Sequence, residues 1–256
     1  MPSWCDKLAS TPGVGFLLNT HFVPFDTLLN GFSSVLDRAS ETEAKDTTVD
    51  QPATFFATGF TTHDGFKYAM DQSKVSVTFN HRLKFQNVSG GPPIMEMLSK
   101  PLPYTTLLPT VAKRLVEATL LMPEAKKRVV ERVGVISATP IAMEDVPPGI
   151  KRLIEYVGRP WKGLIDSCNL VINAQLASTS EVTERCIHTV TIPEEKEQLL
   201  TLQFDWQRKF KTPWTISQSN LERILDEAQK RSLQYFEELA EGSRFDEVLI
   251  RAAATT

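Results

Sequence analysis

No apolar run in this chain approaches the roughly 18 to 20 residues that a membrane span needs, so no transmembrane segment is expected. Cysteine is scarce: Cys5, Cys168 and Cys186 are too scattered for a disulfide framework or a zinc knuckle, both of which need closely spaced pairs. The three are read as reduced thiols. An excess of basic charge is also missing, because 28 Lys and Arg stand against 31 Asp and Glu, a formal net charge of −3. Such a chain has no global attraction for a phosphate backbone, and nucleic acid is disfavoured as a partner. The N-terminal stretch MPSWCDKLASTPGVGFLLNT lacks a basic start followed by a continuous apolar segment, so no secretory leader is expected and the chain reads as cytoplasmic.

Catalytic signatures are equally sparse. There is no GxSxG elbow, phosphate-cradling loop or dinucleotide fingerprint. Gly90-Gly91 runs into Pro92 and Pro93, which have no N–H to offer a phosphate. Glu194-Glu195 and Glu237-Glu238 read as solvated charge, since nothing nearby separates their acidities. No cofactor and no metal site is expected.

What the chain does have is clear periodicity. Gly13 to Phe22 (GVGFLLNTHF) reads as a strand, and Phe25, Leu28, Leu29, Phe32, Val35, Leu36 and Ala39 then recur at helical spacing. Polar Ser40 to Gln51 reads as a loop. From Ala53 the period changes to two: ATFFATGF is strand-like, and FKYAM and KVSVTFNHRLKF flank the turn DQS. In the second arm Val75, Val77, Phe79, His81, Leu83 and Phe85 share one face. Asn87 to Pro103, with four prolines and two glycines, reads as an irregular connector that tucks Ile94, Met95 and Met97 under the fold. Leu107 to Val116 gives a second helix, with Pro109 in its first turn.

The order then starts again. Val129 to Ile141 (VVERVGVISATPI) reads as a strand, Ile150 to Val157 as a short helix, and Cys168–Leu176, Val182–Ile192 and Leu200–Trp206 as a three-stranded meander. Ser219-Asn220-Leu221-Glu222 fits a capping box for a last helix that Gly242 would stop. Both halves therefore read β-α-β-β-β-α, residues 13 to 122 and 129 to 241, as expected of a diverged duplication. The expected fold is α+β, one mainly antiparallel sheet with the long helices packed on one face, divided into units 1–123 and 124–256.

For chemistry, four residues stand out. His63 sits beside Asp64 in a turn; His81 and His188 fall on apolar strand faces, where a satisfied core histidine is the simpler reading; Asp205 ends a strand. Basic Arg82, Lys84, Arg208, Lys209 and Lys211 lie near Phe85, Phe210 and Trp214 and read as solvated strand faces rather than a stacking platform for single-stranded nucleic acid.

Tyr104 before the second helix, the Arg132-x-Gly134 strand, Gly158-Arg159-Pro160-Trp161, the strand LLTLQFDW carrying Asp205, and Phe236 on the last helix together resemble a sporadically distributed family of uncharacterised prokaryotic proteins of about this length. The shared layout covers residues 53 to 250. The family carries its Pro-Pro-Ile-x-Glu run at the start, whereas here Pro92 to Glu96 lies mid-chain. The resemblance implies a prokaryotic accessory or defence-associated role and no particular activity. The leading functional expectation is a non-enzymatic binding or assembly module that acts through protein contacts, at sheet edges or the groove between halves, as a homodimer or beside another protein. The rival is an enzyme or small-molecule sensor whose site lies at the junction of the halves, with His63, His81, His188 and Asp205 as its candidate residues.

Overall fold

The computed structural model describes residues 4–7, 10–19, 22–42, 48–54, 57–81, 83–86, 94–97, 102–158, 167–192 and 199–243. The two strands with the related sequences lie side by side. Strand β1 (Thr11–Leu18) and strand β8 (Val129–Ile141) pair antiparallel with Gly15 opposite Gly134. Between them in the chain come β2 (Thr48–Thr54), β3 (Ala57–Thr61), β4 (Phe66–Met70), β5 (Lys74–Phe79), β6 (Leu83–Gln86) and β7 (Ile94–Met97). After them come β9 (Cys168–Ser178), β10 (Val182–Ile192) and β11 (Leu200–Thr215). The nine-stranded sheet has the order β2-β3-β4-β5-β1-β8-β11-β10-β9, and every pairing in it is antiparallel. Each meander thus ends with a strand, β5 or β11, that returns to pair with the strand that opened its run. Strands β6 and β7 form a separate ribbon.

The described residues include four α-helices: α1 (Phe25–Thr42), α2 (Tyr104–Leu120), α3 (Pro148–Gly158) and α4 (Gln218–Glu241). None of the described helices is long and apolar enough to cross a membrane. Period-two alternation places Val14, Phe16 and Leu18 of β1, Val75, Val77 and Phe79 of β5, Val133 and Val135 of β8, and Leu202, Phe204 and Trp206 of β11 in one buried cluster. The stripes of α2 (Leu107, Leu108, Val111, Leu115) and α4 (Leu221, Ile224, Leu225, Leu239) belong to the same cluster. Burial of each such side chain contributes roughly 1.5–3 kcal/mol over its exposed state. Aromatic contacts fix the layers. Tyr235 of α4 stacks on Phe204 at 4.1 Å, and Phe32 of α1 meets the edge of Phe60 at 5.5 Å. Two buried polar clusters are paired: Tyr104 Oη bonds Ser232 Oγ at 2.7 Å and also Ser137 Oγ, and Glu184 takes two N–H groups of Arg208.

Several local expectations are corrected, each for a hydrogen-bonding reason. The loop expected over Ser40–Gln51 gives its first residues to α1 and its last to β2, which pairs with β3. The strand expected through Phe85 stops at Phe79, because the Asn80 N–H is spent on the Gly65 carbonyl at 2.9 Å, where β4 runs out of partners. The connector after it is not wholly irregular. Ile94–Met97 contains no proline, keeps its donors and pairs with β6. Helix α2 starts at Tyr104, so Pro109 is inside the helix rather than in its first turn. The cap of α4 is Ser217, not Ser219: Ser217 has an extended backbone and accepts from the Asn220 N–H at 3.3 Å. Gly242, at φ 84°, closes the helix as expected. Strand β11 runs on to Thr215 through an irregularity that sets Trp214 opposite Val130.

Candidate functional site at the central strand pair

The alternation that buries one set of residues turns the other set away from the core cluster. In β1 these are Gly13, Gly15 and Leu17; in β8 they are Arg132, Gly134 and Ile136. With Lys74, Ser76 and Thr78 from β5 and Asp205 and Gln207 from β11, they line a trough of about 260 Å³ along the β1–β8 seam. Its floor is low because three positions carry no side chain. A Cβ at Gly13 would stand 2.8 Å from Thr78 Oγ1, and one at Gly15 would stand 3.1 Å from Ser76 Cβ. At Gly134 the nearest atom would be the Trp206 carbonyl oxygen at 3.5 Å, an ordinary contact. The close approach of a neighbour that a strand glycine suggests is therefore present at Gly13 and Gly15 but not at Gly134, whose bare Cα keeps the trough open.

Polar groups along one wall are hydrogen-bonded in series. Arg132 Nη1 donates to Gln207 Oε1 at 3.0 Å, and Gln207 Nε2 donates to Asp205 Oδ1 and Oδ2 at 3.1 and 3.0 Å. Burial pushes the Asp205 carboxyl above its ordinary value, opposed by the Gln207 hydrogen bond and by the charges of Arg132 and Lys74. The arrangement offers cations at one end, a fixed acceptor at the other, and flat peptide between.

Of the four residues singled out by sequence, only Asp205 lines this trough. His188 pairs across the strands with Phe204, so it faces the opposite side of the sheet from Asp205. There it is buried, its ring stacked with Tyr235 at 5.2 Å and its Nδ1 3.8 Å from Cys186 Sγ, which makes it a core histidine. His63 and His81 belong to the corner where the β3–β4 turn meets the end of β5. Asp64 beside His63 is tied elsewhere, accepting from Thr62 Oγ1 at 2.5 Å and pairing with Arg114 of α2 at 3.0 Å. Burial raises the Asp64 carboxyl and lowers the Arg114 guanidinium to about 10, and Arg114 also lies over the Phe66 ring at 3.8 Å. The His81 ring meets Phe79 edge-on at 5.1 Å, and burial lowers its pKa. The trough thus gathers one expected residue with Lys74, Arg132 and Gln207, whose proximity depends on strand pairings across the fold.

The basic cluster near Phe210 is split by alternation. Arg208 turns to the helix side and pairs with Glu184 and Glu227, whereas Lys209 lies opposite Arg132 on the trough side. Arg82 and the Lys84 and Phe85 side chains lie outside the described residues. Among the described residues no group of three or more His, Cys, Asp or Glu could hold a metal ion. Comparison with known protein families, with curated proteins and with solved structures finds no match to this chain.

Proposed function

We propose that the protein is a non-enzymatic binding and assembly module in which two diverged halves, residues 1–123 and 124–256, meet at the Gly15–Gly134 pair, with their long helices on one side of the sheet; the second half keeps the expected β-α-β-β-β-α order, and the first departs from it by the added strands β2, β6 and β7. The order of strands on either side of the β1–β8 seam supports that reading. Assembly is carried by one observation, the composition of β9. This strand ends the sheet order and pairs only with β10 among the described residues. Its eleven residues, CNLVINAQLAS, include no charge, no proline and no glycine. Edges left unpaired are ordinarily blunted with lysine, proline or a bulge, as β2 at the other end is by Pro52 and a register break after Asp50. The one irregularity in β9 falls at Leu176, leaving Cys168–Gln175 regular, and Val171 is 50% exposed.

The occupant this edge fits is a second copy of itself. Antiparallel pairing of two β9 strands about a two-fold axis is self-complementary and brings no like charges together. Size-exclusion chromatography with light scattering is expected to give a dimer, and Val171→Lys with Asn173→Lys, both on exposed positions, to give a folded monomer. A monomer in the unsubstituted chain, or a dimer indifferent to both lysines, refutes the assembly reading.

A second reading, a small-molecule sensor at the junction of the halves, is favoured by the seam trough with its paired cations and single carboxylate.

A further inference from the structure

We infer that the seam trough binds a small organic anion bearing a hydrogen-bond donor, its carboxylate or phosphate directed to Lys74 and Arg132 and its N–H or O–H to Asp205. The inference rests on the sensor reading and names the ligand class. Size sets the scale. About 260 Å³ falls below the roughly 300–1,000 Å³ of drug-sized pockets, which suits a metabolite rather than a polymer or a large cofactor.

Charge sets the sign. Among the lining residues two cations, Lys74 and Arg132, face one carboxylate, Asp205, in a chain whose overall charge is −3. The trough is therefore a locally positive recess on an acidic protein, which concentrates anions there. Register brings the cations together: Lys74 is opposite Leu17, and Leu17 is opposite Arg132, with Lys209 next in the same row. Two strand spacings, roughly 9–10 Å, separate the Lys74 and Arg132 backbones, a distance their long stems close from either side of Leu17.

Hydrogen-bonding capacity sets the orientation. Arg132 commits Nη1 to Gln207, leaving most of its donor fork for a planar or tetrahedral oxyanion. Asp205 is held on both oxygens by Gln207 yet retains lone pairs for a ligand donor. Between the two ends Gly15 and Gly134 present bare peptide, a surface on which a flat ligand body can lie, with Ser76 on the β5 side.

Calorimetric titration of the full chain at low ionic strength, with matched probes, tests this. The probes are adenosine monophosphate against adenosine, para-hydroxybenzoate against para-hydroxybenzyl alcohol, and inorganic phosphate. At least one organic anion is expected to bind about tenfold or more tightly than its uncharged counterpart, with Lys74→Met, Arg132→Met and Asp205→Asn each weakening it about tenfold, the loss of one charge-assisted contact. Gly134→Val, whose side chain projects into the trough, is expected to abolish binding, with Gly134→Ala as the control for folding by thermal melting. The phosphate and carboxylate arms distinguish the two sources of the anion.

Equal binding of charged and uncharged partners, lost with Gly134→Val, overturns the anion assignment and keeps the sensor reading. Binding unaffected by Gly134→Val overturns the assignment of the ligand to the seam. If no probe titrates and none shifts the Gly13, Gly15 or Gly134 amide resonances, the anion and the sensor readings both fall.

Discussion

Replacing Tyr104 by Phe removes one oxygen from the most buried polar contact between α2, α4 and the sheet. The Tyr104 hydroxyl bonds Ser137 of β8 and Ser232 of α4, and all three residues are buried. Its burial pushes the phenol up to about 12, so at neutral pH it is un-ionised and acts as an ordinary donor and acceptor. The ring is unchanged in Phe, and the edge contact with Phe236 at 4.9 Å survives. The cost is therefore confined to hydrogen bonding. Two net contributions of about 0.5–1.5 kcal/mol each predict a loss of about 1–3 kcal/mol, and about 2–4 °C in melting temperature per kcal/mol for a chain of this size.

A double-mutant cycle with Ser232→Ala isolates one of the two bonds. Ser232→Ala alone leaves the Ser137 contact, so the two changes together should cost less than their sum by about 0.5–1.5 kcal/mol. Urea unfolding followed by circular dichroism measures all four species. A Tyr104→Phe loss under about 0.3 kcal/mol, or strict additivity with Ser232→Ala, would refute the claim that this cluster ties the helices to the sheet.

Two further outcomes follow from single positions. Gly134→Ala meets only ordinary contacts and is expected to leave stability unchanged or raise it by about 0.5–1 kcal/mol. Gly65→Ala, at φ 99° with its Cβ 2.3 Å from the Asn80 carbonyl oxygen, is expected to destabilise by about 1–3 kcal/mol, and thermal melts of the two variants that agree would count against the geometry of both. Asp205, raised by burial, keeps its proton in the folded state at pH values where the unfolded chain has released it. Its contribution to stability is thus complete below the ordinary value of 3.8 and is lost as pH rises through the higher folded value; melts across acidic pH should show the unsubstituted chain losing ground to Asp205→Asn over that window, and a difference constant with pH would contradict it.

Much of the fold was legible because a strand with one buried face writes its own alternation. Val129–Ile141 and Val182–Ile192 match their strands end to end, and the α4 stripe places Tyr235, Phe236 and Leu239 in the core. Where the reading slipped, a single hydrogen-bonding group decided the matter: the Asn80 N–H that ends β5, or the Ser217 hydroxyl that caps α4 two residues before the more conspicuous serine. Such choices follow from which partners tertiary structure supplies, and periodicity carries no record of them. The candidate site was legible only at Asp205 and at the two glycine-bearing strands. Lys74, Arg132 and Gln207 look like ordinary outward-facing strand residues until β5, β1, β8 and β11 are laid side by side.

The sequence by itself determined the main strands and helices and their order, because side-chain periods of two and 3.6 residues reflect which face of each segment leaves water; β2, β6 and β7 became strands only through the partners they found. It also determined the uncharged composition of β9. Tertiary structure decided which strands became neighbours, and hence that Gly15 meets Gly134 although the two are far apart in the chain. Register across a sheet is a property of pairs, fixed when both partners bury their apolar faces on the same side. Through that pairing the opposite faces of the central strands converge on one trough, with Asp205 inside it and His188 on the far side of the sheet.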